Sequence, residues 1–187
     1  TGNDAQACRI ICHAASRLHF SRNASTPALT PLHHWFSDLA PAAKKHGGIL
    51  TRCAAVANVL LSSPHDEVVL HGDLHHGNIL DFGTRGWLAI DPKGLLGERG
   101  FDYANIFTNP DLAEPTRPVA IEPETFTQRV NIVSEIARIE RQRLLMWIVA
   151  WCGLSSVWFL QEGDSATVPL RIAELAMAEL ASGDNQL

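Results

Sequence analysis

The stretch HGDLHHGNILDFGTRGWLAID, residues 71–91, carries three oxygen-bearing side chains at defined separations. Asp73 is followed, after four intervening residues, by Asn78, and Asp91 comes thirteen residues after Asn78. A carboxylate at a strand-to-loop junction can accept the proton of an attacking hydroxyl group. An Asn and a second Asp supply the hard oxygen ligands that Mg²⁺ prefers on nucleotide phosphates. The pattern therefore indicates phosphoryl transfer, in which positioning and charge neutralisation carry the rate.

This spacing is typical of a kinase catalytic loop, but a second tripeptide competes for the role of metal ligand. Asp81-Phe82-Gly83 spells the DFG of kinases only three residues after Asn78. Three residues cannot form the hairpin that returns a metal ligand to the site, whereas Asp91 ends a second β-prone run, residues 87–90. We therefore predict Asp91 as the ligand and Asp81 as a residue near a surface turn.

The same residues allow a metal-hydrolase interpretation, because His71, His75 and His76 lie close to Asp73 in the sequence. Two adjacent histidines on a loop do not readily face one ion, and no HExxH pairing on a helix is present. We expect a phosphoryl-transfer site rather than a zinc site.

Helical patterns surround this β-prone region. Short β-prone runs occur at residues 68–70, 79–82 and 87–90. Residues 83–86 connect the last two runs, which predicts a β hairpin. Apolar spacing predicts a helix over residues 4–19, capped by Asp4, and another over residues 47–63. A further helix is predicted after a capping box formed by Thr125 and Gln128. Residues 21–31 are rich in Ser, Thr and Pro and are predicted to form a loop. Helices, a small β patch and helices again indicate an α+β fold.

Length and composition fit one globular domain, residues 1–187. Apolar residues make up 46% of the 187-residue chain and charged residues 19%, and the net charge is −5 without a basic block. These values exclude disorder and disfavour a nucleic-acid-binding surface, while the acidic balance favours a cationic ligand. The sequence does not indicate an oligomeric state.

Cysteine usage fits a reducing cytoplasm, because the four cysteines form no CxxC pair and no signal-like segment opens the chain. Cys8 and Cys12 stand four apart on a predicted helix. We interpret them as two buried small side chains, with a metal-binding pair as the alternative.

Residues 144–160, LLMWIVAWCGLSSVWFL, contain no charge and reach the lower length limit of a membrane-spanning helix. Gly153 and two serines interrupt the stretch, and a basic amphipathic segment leads directly into it. We predict a helix buried in a soluble core, with Trp147, Trp151 and Trp158 as core residues, and no membrane contact.

The string HGDLHHGNIL and its extension to residue 110 resemble the aminoglycoside phosphotransferase family, within it the streptomycin phosphotransferase and hydroxyurea-resistance kinase group. The resemblance covers essentially the whole chain. It implies a protein-kinase-like fold, of which this chain is the mostly helical C-terminal lobe with a small β hairpin at the catalytic loop. It also implies ATP and Mg²⁺ as cofactors and a small-molecule substrate.

By the same resemblance Asp73 is the catalytic base and Asn78 and Asp91 are the Mg²⁺ ligands. Asp102, together with His71, would brace the catalytic loop. His75 stands two residues after the base, where protein kinases carry a Lys near the transferred phosphoryl group. His75 is therefore a candidate phosphate contact. Lys93, two residues after Asp91, is a second candidate on the ground of charge alone, and a solvated loop residue is the alternative interpretation of Lys93.

Acidic residues are candidates for pairing with the cationic groups of an aminoglycoside. They are Glu98, Asp111, Glu114, Glu122 and Glu124.

The chain departs from the family in one respect. Family members have an N-terminal lobe with a phosphate-covering loop and a strand Lys paired with a helix Glu. Nothing of this kind precedes Asp4, so we expect the ATP-covering lobe to be absent from this chain and the isolated chain to be incomplete for activity.

The resulting hypothesis is a cytoplasmic ATP-dependent phosphotransferase that modifies a hydroxyl of a streptomycin-like aminoglycoside and so gives antibiotic resistance. Two alternatives remain open. One is a kinase of another small alcohol or of hydroxyurea, and the other is an isolated lobe without catalytic activity.

Overall fold

The computed structural model describes residues 3–20, 28–114, 116 and 118–183. This part of the chain is mostly helical with two small sheets, in agreement with the predicted α+β class. The helices are α1 (Asp4–Leu18), α2 (Leu32–Trp35), α3 (Leu39–His46), α4 (Ile49–Ser62), α5 (Gly100–Ala104), α6 (Pro123–Ala137), α7 (Arg141–Glu162) and α8 (Thr167–Gly183). The strands are β1 (Thr30–Pro31), β2 (Glu67–Leu70), β3 (Ile79–Asp81), β4 (Trp87–Ala89) and β5 (Leu95–Glu98).

The larger sheet has the order β1-β5-β2, with β5 parallel to β1 and antiparallel to β2. Its central strand was not predicted from the sequence, because LLGE is too short to show alternation and ends in a Gly and a Glu. The predicted loop at residues 21–31 is also corrected at its end, since Thr30–Pro31 forms β1, whereas residues 21–27 lie outside the described residues. Pairing between distant segments, rather than local preference, creates this sheet.

The predicted hairpin is confirmed. Strands β3 and β4 pair antiparallel in the register Ile79↔Ala89, Leu80↔Leu88 and Asp81↔Trp87. A short 3₁₀ turn connects the two strands, and Gly86 beyond it has a φ of 73°. Its left-handed conformation suits glycine.

Two predicted helix starts are corrected. The N-cap of α1 is Asn3, whose Oδ1 accepts a hydrogen bond from Gln6 N–H at 3.1 Å, so Asp4 is not the cap. Helix α6 begins at Pro123, and the predicted capping box of Thr125 and Gln128 therefore lies inside the helix. Proline suits the first helical turn because it has no N–H to leave unbonded.

Helix α7 forms the centre of the core and packs against α4, α5 and α8. It is long and apolar enough to span a membrane by length and composition, but 72% of its most apolar window is buried inside the protein. Trp147 and Trp151 are buried, and Trp158 packs against the core at the end of the helix. The predicted core helix is thus confirmed.

Candidate active site

The loop that follows β2 turns sharply at Gly72, whose φ is 87°. A Cβ at this position would lie 2.9 Å from Leu95 Cδ1 and 3.0 Å from Lys93 Cβ. Both the backbone conformation and the close approach of β5 require glycine here. The turn places Asp73 directly after the sheet, at the strand-to-loop junction that the sequence predicted.

Asp102, on α5, is completely buried and holds this turn from behind. Its Oδ1 accepts the Gly72 N–H at 2.8 Å, and its Oδ2 accepts the His71 N–H at 2.8 Å. The ring Nε2 of His19 lies 2.8 Å from the same Oδ2. A buried carboxylate needs such donors, because burial without them would be costly.

The His71 ring connects the two strands of the site. Its Nδ1 accepts the Asp73 N–H at 3.2 Å, and its Nε2 lies 2.7 Å from the carbonyl oxygen of Ile90. These partners require a neutral ring with the proton on Nε2, which donates to Ile90. His71 thereby ties the residue before Asp91 to the backbone of Asp73.

The Asp73 carboxylate is one-third exposed and faces three nitrogen groups. Asn78 Nδ2 donates to the Asp73 backbone oxygen at 2.8 Å and lies 3.3 Å from Oδ2. Lys93 Nζ is 3.5 Å from Oδ2, and His75 Nε2 is 3.6 Å from Oδ1. Lys93 therefore places a positive charge beside the Asp73 carboxylate, and Asn78 and His75 place polar N–H groups there.

His75 points its proton-bearing nitrogen towards this carboxylate. Its Nδ1 accepts the Gly77 N–H at 3.1 Å, so the proton of the neutral ring is on Nε2. Burial lowers the pKa of His75, and the nearby Asp73 charge opposes that shift only in part. The neutral ring is therefore a hydrogen-bond donor at the site.

Asp91 and Lys93 form the other side of the site. Lys93 Nζ donates to Asp91 Oδ2 at 2.7 Å, and this hydrogen bond lowers the pKa of Asp91 and raises the pKa of Lys93. Asp91 has a φ of 60°, a left-handed conformation that is uncommon for a residue other than glycine. The backbone N–H of Lys93 donates to the His71 carbonyl oxygen at 2.7 Å, which fixes this turn beside the catalytic loop.

The donor set suits a hard cation. The Asn78 amide nitrogen is engaged with Asp73, which leaves its side-chain oxygen as the atom available to a ligand. The Ile90 N–H donates to the Asn78 carbonyl oxygen at 3.0 Å, so the residues leading to Asn78 and Asp91 are neighbours. The side chain of Asp91 is 68% exposed and offers carboxylate oxygens to solvent. Carboxylate and amide oxygens are ligands that Mg²⁺ prefers.

Asp81 lies at the hairpin turn, as predicted. It is exposed, and its Oδ1 accepts the Gly83 N–H at 2.9 Å. It pairs across the strands with Trp87, at the far end of the hairpin from Asn78.

The three loop histidines have separate environments. His71 uses both ring nitrogens in the hydrogen bonds described above, and His75 uses Nδ1. Both ring nitrogens of His76 are buried without a hydrogen-bond partner. Burial lowers the pKa of His76 to about 4, so this ring is neutral. Within the described residues, no group of three or more His, Cys, Asp or Glu side chains could hold a metal ion.

Two of the acidic residues suggested for substrate binding have structural roles instead. Glu98 is buried and accepts hydrogen bonds from Arg143 and Trp147. Asp111 is buried and accepts the backbone N–H groups of residues 119–121. Both carboxylates are occupied by the protein itself, so the suggestion is wrong for these two residues.

His19 belongs to the site but was not predicted from the sequence. Its ring bonds to Asp102, and it packs edge-on against Tyr103 with 5.5 Å between ring centroids. No local pattern connects positions 83 residues apart. Only its place at the end of an amphipathic helix distinguishes it in the sequence.

Comparison with known proteins identifies the family to which this arrangement belongs. Residues 1–163 match the family described as aminoglycoside/hydroxyurea antibiotic resistance kinase. The chain is 55% identical over 163 residues to streptomycin 3''-kinase from Klebsiella pneumoniae, covering 87% of this chain and 61% of that protein. It is 33% identical over 121 residues to streptomycin 6-kinase from Streptomyces griseus, covering 64% of this chain and 38% of that protein.

A further relative, hydroxyurea phosphotransferase from Kitasatospora aureofaciens, is 30% identical over 135 residues, covering 72% of this chain and 36% of that protein. The chain thus spans between about one-third and three-fifths of the length of these curated relatives. The family match nevertheless includes the entire catalytic-loop region and most of the helical core. The chain belongs to the aminoglycoside/hydroxyurea antibiotic resistance kinase family.

Proposed function

We propose that this protein is an ATP-dependent kinase that phosphorylates a hydroxyl group of a streptomycin-like aminoglycoside. The observation that carries the proposal is the convergence of Asn78, Lys93 and His75 on the carboxylate of Asp73, in a chain of this family. The similarity to streptomycin 3''-kinase supports streptomycin as the first substrate to test.

In this proposal Asp73 is the general base. Asn78 holds its backbone oxygen and approaches its Oδ2, which leaves Oδ1 directed towards His75 and the open side of the loop. The acceptor hydroxyl donates its proton to Asp73 as its oxygen bonds to the γ-phosphorus. The bond between the γ-phosphorus and the bridging oxygen breaks at the same time, and ADP leaves with that electron pair. Asp102 and His71 act behind the base, because they hold the backbone on either side of Gly72.

Asn78 and Asp91 would hold Mg²⁺, which neutralises charge on the nucleotide phosphates when bound. Lys93 would supply a second positive charge. Its ammonium lies 2.7 Å from Asp91 and 3.5 Å from Asp73, between the groups assigned to the metal and to the base. His75 contributes a neutral N–H donor at the same opening, so both residues are suited to contact the transferred phosphoryl group.

We further propose that these residues form the C-terminal lobe of a protein-kinase-like fold. The support is the combination of a mostly helical body with a β hairpin beside the catalytic loop. An ATP-covering lobe would then be contributed by residues outside this chain, and the 187-residue chain alone would not turn over ATP.

The test is ATP consumption with Mg²⁺ and streptomycin by the protein expressed from its full reading frame. Streptomycin-dependent turnover is expected, and the Asp73→Asn variant should reduce it by at least about 100-fold. The Asp81→Asn variant is the matched control, because Asp81 belongs to the DFG tripeptide but lies at the hairpin turn. The 187-residue chain, assayed in parallel, tests the two-lobe proposal.

The outcomes separate the alternatives. Turnover with hydroxyurea or another alcohol, but not with streptomycin, would keep the chemistry and reject the substrate. Loss of activity in the Asp81 variant, with Asp73→Asn unaffected, would reject the assignment of the base. An absence of turnover across a broad substrate panel would support a lobe without catalytic activity.

A further inference from the structure

The C-terminal end of α1 contacts two parts of the candidate active site. His19, directly after the helix, places its ring Nε2 2.8 Å from Oδ2 of Asp102. The Arg17 guanidinium, in the last turn of the helix, donates to the carbonyl oxygen of Trp87 on β4. One helix end thereby bonds both to the carboxylate that braces the catalytic loop and to the second strand of the hairpin.

The position of the His19 ring is fixed by its surroundings. The backbone N–H of His19 donates to the Ala15 carbonyl oxygen at 2.9 Å, which caps the helix. The ring packs edge-on against Tyr103, and the side chain is only 5% exposed. Within the part of the chain that the structure describes, the ring Nδ1 has no hydrogen-bond partner. The bond to Asp102 is therefore the polar contact through which this ring acts.

His19 is the third donor to the Asp102 carboxylate. Oδ1 accepts the Gly72 N–H at 2.8 Å, while Oδ2 accepts the His71 N–H at 2.8 Å and lies at the same distance from His19 Nε2. Because Oδ2 is an acceptor, Nε2 carries the proton of this bond. Without the His19 donor, an oxygen lone pair of a completely buried carboxylate would lack a partner, which is costly. The carboxylate would then no longer be held in one orientation.

We propose that His19 is a positioning residue for the catalytic base. Its N–H group holds Asp102 in the orientation in which the two oxygens accept the amides of His71 and Gly72, and Asp73 is the next residue of that turn. A displacement of the base by about 1 Å is enough to lower the rate by about 100-fold. The effect on catalysis rests on the proposed function, whereas the effect on the two loop amides does not.

The kinetic test compares His19→Leu with His19→Gln in the protein expressed from its full reading frame. Both variants lose the ring contact with Tyr103, but Gln ends in an N–H donor that is as many bonds from Cβ as Nε2 of His. His19→Leu should lower kcat by about 10- to 100-fold and change KM for streptomycin by no more than about 2-fold, because the donor positions the base and not the substrate. His19→Gln should restore most of the lost kcat. A residue that only stabilised the fold would lower Tm in both variants without this difference in kcat.

Amide hydrogen exchange provides a measurement that needs no kinase activity. The His71 and Gly72 amides should exchange at least about 10-fold faster in His19→Leu than in the wild type, because their acceptor is no longer fixed. They should exchange in His19→Gln as they do in the wild type. The control is His13→Leu, which replaces an exposed histidine on the same helix and should change neither kcat nor these exchange rates. If His19→Leu does not fold, His19→Asn replaces it, because the Asn amide is one bond shorter than that of Gln.

Three results would overturn the proposal. They are equal kcat values for His19→Leu and His13→Leu, equal losses of kcat in His19→Leu and His19→Gln, and unchanged exchange at His71 and Gly72 in His19→Leu. Faster exchange in His19→Leu that is reversed in His19→Gln, in a protein without kinase activity, would support the role of His19 in holding the loop and reject the proposed function alone.

Discussion

At the scale of single residues, Lys93 distinguishes this site because its ammonium group is shared by two carboxylates. It donates to Asp91 at 2.7 Å and lies 3.5 Å from Asp73. No other lysine lies in the stretch between residues 46 and 187. Lys93 is therefore the lysine that places a positive charge beside both Asp73 and Asp91.

Replacement of Lys93 by Met should lower kcat by about 100-fold, the effect of removing one transition-state donor. Lys93→Arg should restore part of the activity, because it keeps the charge with a different geometry. Steady-state kinetics with streptomycin measure both variants. The control is Lys44→Met, which removes an exposed lysine on α3. Turnover of Lys93→Met equal to that of the control would contradict the assignment.

Cys53 makes stability depend on pH in the alkaline range. Burial raises the pKa of its thiol to about 12 from 9.0. Between these values the unfolded chain has released the thiol proton while the folded chain retains it, so stability falls as pH rises. Each pH unit between these two pKa values lowers the free energy of unfolding by about 1.4 kcal/mol.

The free energy of unfolding of the Cys53→Ala variant should therefore decline less steeply than that of the wild type above pH 9. Urea denaturation at pH 8 and pH 10 under reducing conditions measures the two slopes, and the expected difference is about 1 kcal/mol. The variant is less stable at both pH values because it leaves a cavity, but this loss does not depend on pH. If the free energies of unfolding of the wild type and the variant change equally between pH 8 and pH 10, the Cys53 thiol does not contribute to this pH dependence.

At the scale of elements, the contact between α4 and α7 depends on a glycine. A Cβ at Gly153 would lie 2.4 Å from Cys53 Cβ and 3.3 Å from Leu39 Cδ1. Gly153 therefore interrupts the apolar run of α7 for a packing reason. The two helices approach more closely than any side chain at this position would allow.

Gly153→Ala should destabilise the protein by about 1–3 kcal/mol, because the added methyl group forces α4 away from α7. Gly183→Ala is the matched control, since it also replaces a helical glycine but meets no atom within 4 Å. Thermal unfolding should show a lower Tm for the first variant and an equal or higher Tm for the second. Equal Tm values for both variants would show that the helices can separate without cost.

At the scale of the whole molecule, Glu98 connects three parts of the chain that are distant in sequence. It lies at the end of β5 and accepts hydrogen bonds from the Arg143 guanidinium at 2.6 and 2.7 Å, from Trp147 Nε1 at 2.6 Å and from the His65 N–H at 2.9 Å. The segment after α4, the central strand of the sheet and the core helix α7 therefore meet at one buried carboxylate. Loss of the carboxylate would leave a guanidinium and an indole N–H without their partner.

Glu98→Ala should cost about 3–5 kcal/mol of folding stability, as expected when one partner of a buried ion pair is removed. The comparison is Glu174→Ala, which breaks the exposed pair between Arg171 and Glu174 and should cost about 1 kcal/mol or less. Urea denaturation of the two variants measures the difference. Losses of similar size would mean that the buried network contributes no more than a surface pair.

Features that depend on the spacing of nearby residues could be predicted from the amino-acid sequence. The order of Asp73, Asn78 and Asp91 pointed to the family, and two β-prone runs joined by residues 83–86 predicted the hairpin. The lack of charge between residues 144 and 160 predicted the buried helix α7. Each of these properties is encoded by neighbouring residues, because hydrogen-bond period and apolar periodicity act over a few positions.

Features that join distant positions depend on tertiary packing and could not be predicted from the sequence. The strand β5 exists through its pairing with β1 and β2, and its four residues have no strong strand preference of their own. The bond from His19 to Asp102 and the burial of Glu98 and Asp111 depend on packing across the chain. An acidic residue is the same letter in the sequence whether its carboxylate faces solvent or accepts hydrogen bonds from buried donors. Its environment, which decides between a binding role and a structural one, is set only when the chain folds.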